Sequence, residues 1–154
     1  MSEAEDKLNE LSDFFRRMSA KVKLIKLIEH AKIEYDKYNL DSSLESLEKA
    51  YKIDNKNATV LRGLGCINQA QGNFDKAIEF YKEAVKNSTK KEVEYSLLGT
   101  IYYLQENLDE ALRYFNLAID ANDDYDVAYE GRNQAMLENH LKILDLQDSL
   151  KKYF

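Results

Sequence analysis

"YSLLGTIYYLQENLDEALRYFNLA", residues 95–118, decides the fold. A Leu-Gly pair (Leu98, Gly99) is followed by aromatics and the step Asn107-Leu108-Asp109, and then Ala111 and Ala118 flank Phe115. The same pattern stands 34 residues earlier as Leu64, Gly65, Ala77, Tyr81 and Ala84, and a further step back as Ala31, Ser43, Leu47 and Ala50. "NLDSSLESLEKAYKID" (39–54), "NFDKAIEFYKEAVKNS" (73–88) and "NLDEALRYFNLAIDAN" (107–122) align without a gap. A fixed period of this length marks a repeat array in which each unit buries its apolar face on its neighbours.

Each unit reads as a helical hairpin. Proline is absent and the only glycines are 63, 65, 72, 99 and 131, so helix boundaries must be marked by other residues. Asn39, Asn73 and Asn107 are expected to turn the chain at the end of the first helix, and Asp41, Asp75 and Asp109 to cap the second. Apolar residues at helical spacing, such as Leu112, Phe115 and Ile119, give that second helix one buried face.

Composition bounds the function. The chain has 154 residues, 44% of them hydrophobic, enough for one core-forming domain or short array. Its single cysteine excludes an internal disulfide and predicts a reducing, cytoplasmic setting. The acidic start "MSEAEDKLNE" does not read as a signal peptide, and no apolar run reaches the roughly 20 residues that span a bilayer. A net charge of −6 disfavours nucleic acid. The charge is uneven: Arg16, Arg17, Lys21, Lys23, Lys26 and Lys32 cluster near the start, and Asp120, Asp123, Asp124 and Asp126 late in the chain. This polarity either steers an acidic partner or marks two solvated faces.

The pattern resembles the tetratricopeptide repeat over residues 24–125. Unit three carries Tyr95, Leu98, Gly99, Tyr102, Ala111, Phe115 and Ala118 in the family's places. Unit two has Asn68 where the family has an aromatic, and unit one has His30, Glu34 and Ser43 in place of leucine, aromatic and alanine. The family's proline near the end of each unit is replaced by Asn55, Thr89 and Asp123. The resemblance implies an all-α, right-handed α-solenoid of three repeats, 24–57, 58–91 and 92–125. An N-terminal amphipathic helix (1–23) and a long C-terminal capping helix (126–154) flank them. It also implies that Gly65 and Gly99 let the two helices of a hairpin approach closely.

No catalytic constellation is legible. The glycines at 63, 65 and 72 do not have dinucleotide-loop spacing and follow no strand. Cys66 needs a base in reach to act as a nucleophile, and His30 and His140 are the only histidines. These three residues have no metal-ligand spacing either. The expectation is a protein without catalysis, metal or cofactor.

The resemblance instead implies a concave groove lined by repeat positions 2, 5, 9 and 12. These are Ile25, Ile28, Lys32 and Tyr35; Thr59, Arg62, Cys66 and Gln69; and Val93, Ser96, Thr100 and Tyr103, followed by Val127, Glu130 and Gln134. A subclass of the family grips the C-terminal carboxylate of heat-shock chaperones with Lys and Asn. Here Gly63 stands where that clamp wants Asn, and unit three contributes no lining cation, so the clamp is expected to be absent. An extended or helical peptide is expected instead, held by Ile28, Tyr35 and Tyr103 and hydrogen-bonded by Gln69, Ser96 and Thr100, with Arg62 taking a carboxylate.

The flanks leave alternatives open. Leu8, Leu11, Phe15, Met18, Val22 and Ile25 form a stripe that can cap repeat one, pair with a second copy, or meet an anionic membrane or acidic partner. Met136, Ile143, Leu146, Leu150 and Tyr153 form a second seam that needs cover. The function expected is a non-catalytic adaptor or chaperone-like module for a partner's peptide, a layout similar to bacterial secretion chaperones. The alternative is a self-assembling structural module acting through its terminal helices.

Overall fold

The computed structural model describes residues 3–151 as seven α-helices: α1 (Glu3–Asp36), α2 (Leu40–Ile53), α3 (Ala58–Ala70), α4 (Phe74–Asn87), α5 (Lys91–Leu104), α6 (Leu108–Ala121) and α7 (Asp126–Leu150). The pairs α1/α2, α3/α4 and α5/α6 are the three hairpins, each packed on the next, and α7 lies on α6 and α5. The fold is an all-α solenoid.

The turns follow a rule different from the expected one. Asn39, Asn57 and Asn107 are N-caps: their side chains accept hydrogen bonds from amides of the first turn of α2, α3 and α6. Asp41, Asp75 and Asp109 lie inside the first turn, where a carboxylate opposes the positive end of the helix dipole. The chain reversal falls on the residue before the capping Asn of each hairpin. Tyr38 (φ 60°), Gly72 (φ 77°) and Glu106 (φ 60°) all adopt the left-handed conformation.

Small residues set the helix spacing. A Cβ on Gly65 would stand 2.5 Å from the Tyr81 ring, and one on Gly99 would stand 2.8 Å from Phe115. Gly131 of α7 also meets the Phe115 ring, where its Cβ would come within 2.4 Å. Phe115 therefore touches both its own hairpin and the helix that follows. Ala135 shares a buried cluster with Phe115, and Ala128 is fully buried too, so α7 packs as the first helix of a further unit.

Repeat one compensates for its polar substitutions internally. Ser43 donates to the Ala31 carbonyl at 2.7 Å, His30 Nδ1 lies 2.9 Å from Ser46 Oγ, and Glu34 accepts from Asn39 Nδ2 at 2.8 Å. Paired in this way, the polar groups do not carry the penalty of unmet burial.

The flanks differ from a capped array. The helix expected over 1–23 and the first helix of repeat one are a single 34-residue helix, because nothing between them breaks the backbone ladder. Residues 5–23 are all exposed, so this segment projects from the array and does not fold over repeat one. In α7, Met136, Ile143 and Leu146 of the expected seam are exposed, as are Leu137, Leu141 and Leu144. Tyr153 lies outside the described residues.

Candidate peptide-binding groove

Helices α1, α3, α5 and α7 carry the expected lining residues. Between α1 and α3 lies an open cavity of about 420 Å³ walled by Ile28, Ala31, Lys32, Tyr35, Ser43, Leu47, Thr59, Arg62, Gly63 and Cys66. Five of the expected site residues, Ile28, Lys32, Tyr35, Arg62 and Cys66, thus share one space. Gly63 helps to open it: its missing side chain leaves room against Leu47, which a Cβ would approach to 2.9 Å.

Arg62 is already engaged. Its Nη1 donates to Glu94 Oε1 at 3.2 Å, and Glu94, from the next repeat, has no exposed surface, whereas the Arg62 side chain keeps 31%. The second oxygen, Oε2, is buried without a protein partner. Tyr125, which precedes α7, is close enough to respond to both groups. Burial pushes its hydroxyl pKa up, Glu92 adds to that rise, and Arg62 opposes it. Sequence reasoning passed over Glu94 and Tyr125. A carboxylate in the first turn of a helix usually faces water, and no local spacing reports a pair 32 residues apart.

Cys66 and Gln69 converge on a third residue, Tyr81 of α4, which is fully buried. The Tyr81 hydroxyl donates to Gln69 Oε1 at 2.9 Å and lies 3.3 Å from Cys66 Sγ. Burial pushes the Cys66 thiol pKa up, against smaller lowering effects of Tyr81 and Arg62, and burial raises Tyr81 strongly. A nucleophilic thiol needs the opposite shift. Tyr35, on the facing wall, is raised mainly by burial.

The second half of the expected surface is arranged differently. Ser96 is buried and its Oγ has no protein partner, while Thr100 Oγ1 donates to the Ser96 carbonyl at 2.9 Å. Neither hydroxyl is free to donate across an open groove. Tyr103 is tied to α7 through hydrogen bonds with Glu138 and Gln134; the Glu138 bond pushes its pKa up. Gln134 therefore meets Tyr103, and Glu130 lies exposed two turns from Glu138 on the same helix. The open part of the surface is the cavity between α1 and α3.

Among the described residues, no cluster of three or more His, Cys, Asp or Glu is placed to hold a metal ion. None of the described helices is long and apolar enough to cross a membrane.

Two tetratricopeptide-repeat profiles match the chain, over residues 58–89 and 95–125. Residues 58–125 are tetratricopeptide repeats. No relative is found among curated protein sequences. Among solved structures, this tetratricopeptide-repeat array is similar to an O-GlcNAc transferase mutant of Thermobaculum terrenum, with TM-score 0.71 and 19% identity. That match covers 76% of this chain but only 22% of the transferase, about a fifth of its length. The type III secretion chaperone SycD of Yersinia enterocolitica, in complex with a peptide of the translocator YopD, matches with TM-score 0.68 and 18% identity. It covers 75% of this chain and 94% of SycD. The second repeat domain of human RPAP3, in complex with the HSP70 peptide SGPTIEEVD, gives TM-score 0.68 and 12% identity over 76% of this chain and 98% of that one. At these identities the likeness concerns the fold.

Proposed function

We propose that the protein is a non-catalytic adaptor that holds an extended segment of a partner protein in the cavity between α1 and α3. The observation that carries this reading is the cavity itself, which is open and largely apolar and has Lys32 and Arg62 in its wall. An apolar side chain would settle against Ile28, Leu47 and Tyr35, and an adjacent acidic group would be drawn to Lys32. The peptide-bound states of SycD and RPAP3 support the same use of the fold. The peptide SGPTIEEVD is expected to bind weakly here, because Gly63 replaces the Asn such a clamp uses.

Lys32 is the better residue for the test. Arg62→Glu would set a second carboxylate against buried Glu94 and disturb the fold, whereas Lys32 is exposed. Fluorescence anisotropy would screen labelled ten-residue peptides that carry one large apolar residue beside acidic residues. Binding that weakens at least about tenfold in both Lys32→Glu and Ile28→Asp supports the groove. Undiminished binding in both variants, or no binding to the wild type, overturns it.

A further inference from the structure

The projecting half of α1 is built as one strand of a two-helix seam. Leu8, Leu11, Phe15, Met18, Val22 and Ile25 follow spacings of 3, 4, 3, 4 and 3, the a/d rhythm of three heptads, and all are about half exposed or more. The stripe runs about 26 Å along the helix. Twelve such side chains from two helices bury about 1,000 Å² in one seam, the level at which specific association becomes stable. Phe14 and Phe15 pack edge to face, with centroids 5.8 Å apart, near its middle.

Charge selects the partner. The N-terminal half of the stripe carries Glu5, Asp6, Glu10 and Asp13 against Lys7, and the C-terminal half carries Arg16, Arg17, Lys21, Lys23 and Lys26 with no acidic residue among them. A parallel pair would set Lys21 beside the partner's Lys26, like charge against like. An antiparallel pair sets each acidic half on a basic half, and its a-against-d register places Leu8 on the partner's Ile25, Leu11 on the partner's Val22 and Phe15 on the partner's Met18. Glu5 then flanks the seam beside the partner's Lys26, at both ends of the pair, an arrangement that steers association and fixes direction.

We propose that α1 pairs antiparallel with α1 of a second copy, through the stripe from Leu8 to Ile25. The two-fold axis falls between Phe15 and Met18, and the two repeat arrays stand at opposite ends of the seam with their grooves independent of it. This dimer stands apart from the groove reading, since Lys32→Glu leaves the stripe intact.

Sedimentation equilibrium of the full chain tests it. The expected mass is twice 17.9 kDa. Met18→Glu is expected to raise the dissociation constant at least about a hundredfold, with helical circular dichroism unchanged because the residue is exposed. For direction, Leu8→Cys and Ile25→Cys proteins, both with Cys66→Ser and one carrying a longer tag, are mixed and oxidised. A disulfide between the two proteins supports the antiparallel register. Disulfides formed only by Leu8→Cys with itself mean parallel pairing and overturn it. A monomeric wild type also overturns it, including one that binds phosphatidylserine vesicles, which would assign the stripe to a membrane surface.

Discussion

Arg62 of one repeat and Glu94 of the next are joined at 3.2 Å, and the carboxylate has no exposed surface. The pair fixes the seam between the second and third repeats at the foot of the groove. Removing the cation leaves a buried charge without its partner, which is far costlier than removing both groups. Arg62→Ala is expected to destabilise by about 2–3 kcal/mol, less than a wholly buried pair because Arg62 remains partly solvated. The double replacement Arg62→Met with Glu94→Leu is expected to lose less than Arg62→Ala alone. Urea unfolding of the three proteins measures this, and a larger loss in the double variant would refute it.

Three hairpin turns share one backbone shape but not one residue type. Gly72 adopts φ 77° without a side-chain penalty, whereas Tyr38 and Glu106 hold φ 60° with one. Tyr38 is 90% exposed, so its ring contributes little packing to offset that strain. Tyr38→Gly is expected to stabilise by about 0.5–1 kcal/mol, after the entropy that glycine adds to the unfolded chain. Gly72→Ala is expected to destabilise by about 1 kcal/mol through conformation alone, since a Cβ there would meet nothing within 4 Å. Opposite shifts in melting temperature would show that the turn's conformation governs both.

Much of this was written in the sequence, and the remainder was not for definite reasons. The 34-residue period exposed the hairpins because Leu64-Gly65 and Leu98-Gly99 recur in phase, and a glycine inside a helix demands close contact. The turns were misassigned because Asn serves equally well at either end of a helix, and only the backbone shows that it caps the second. The groove residues were placed by position in the repeat, which locates a backbone but not the direction of a hydroxyl. Ser96 is buried and Thr100 bonds its own helix for that reason. The Arg62–Glu94 pair joins two repeats, and no local spacing encodes it.

Phe115 meets two glycines, Gly99 of its own hairpin and Gly131 of the helix that follows. A Cβ on either would press on the ring at Cδ1 and Cε1. Gly131→Ala gains about 1 kcal/mol of helix propensity, but its Cβ would stand 2.4 Å from the ring. Overpacking is expected to win, for a net loss of about 1–2 kcal/mol. Phe115→Leu in the same background is expected to recover part of that loss, although the substitution alone destabilises. A double-mutant cycle read by thermal unfolding checks the sign of the coupling.

Asn68 leaves a space that its counterpart fills one repeat later. Tyr102 stacks on Tyr114, with centroids 5.4 Å apart and planes within 6°. Asn68 and Phe80 are the corresponding residues of repeat two, but Asn68 turns its Nδ2 to the Leu64 carbonyl at 2.8 Å. Beside them is a hollow of about 700 Å³, lined in part by Leu44, Leu64 and Phe80, on surface separate from the groove cavity. Asn68→Tyr is expected to cover Phe80 as Tyr102 covers Tyr114, stabilising by about 1 kcal/mol. The lost Asn68 bond subtracts little, because the Leu64 carbonyl belongs to a helical ladder. The melting temperature should rise while affinity for a peptide held between α1 and α3 stays constant. A fall in stability would mean that the ring cannot reach Phe80. Lost peptide binding would mean that the two surfaces of α3 are coupled.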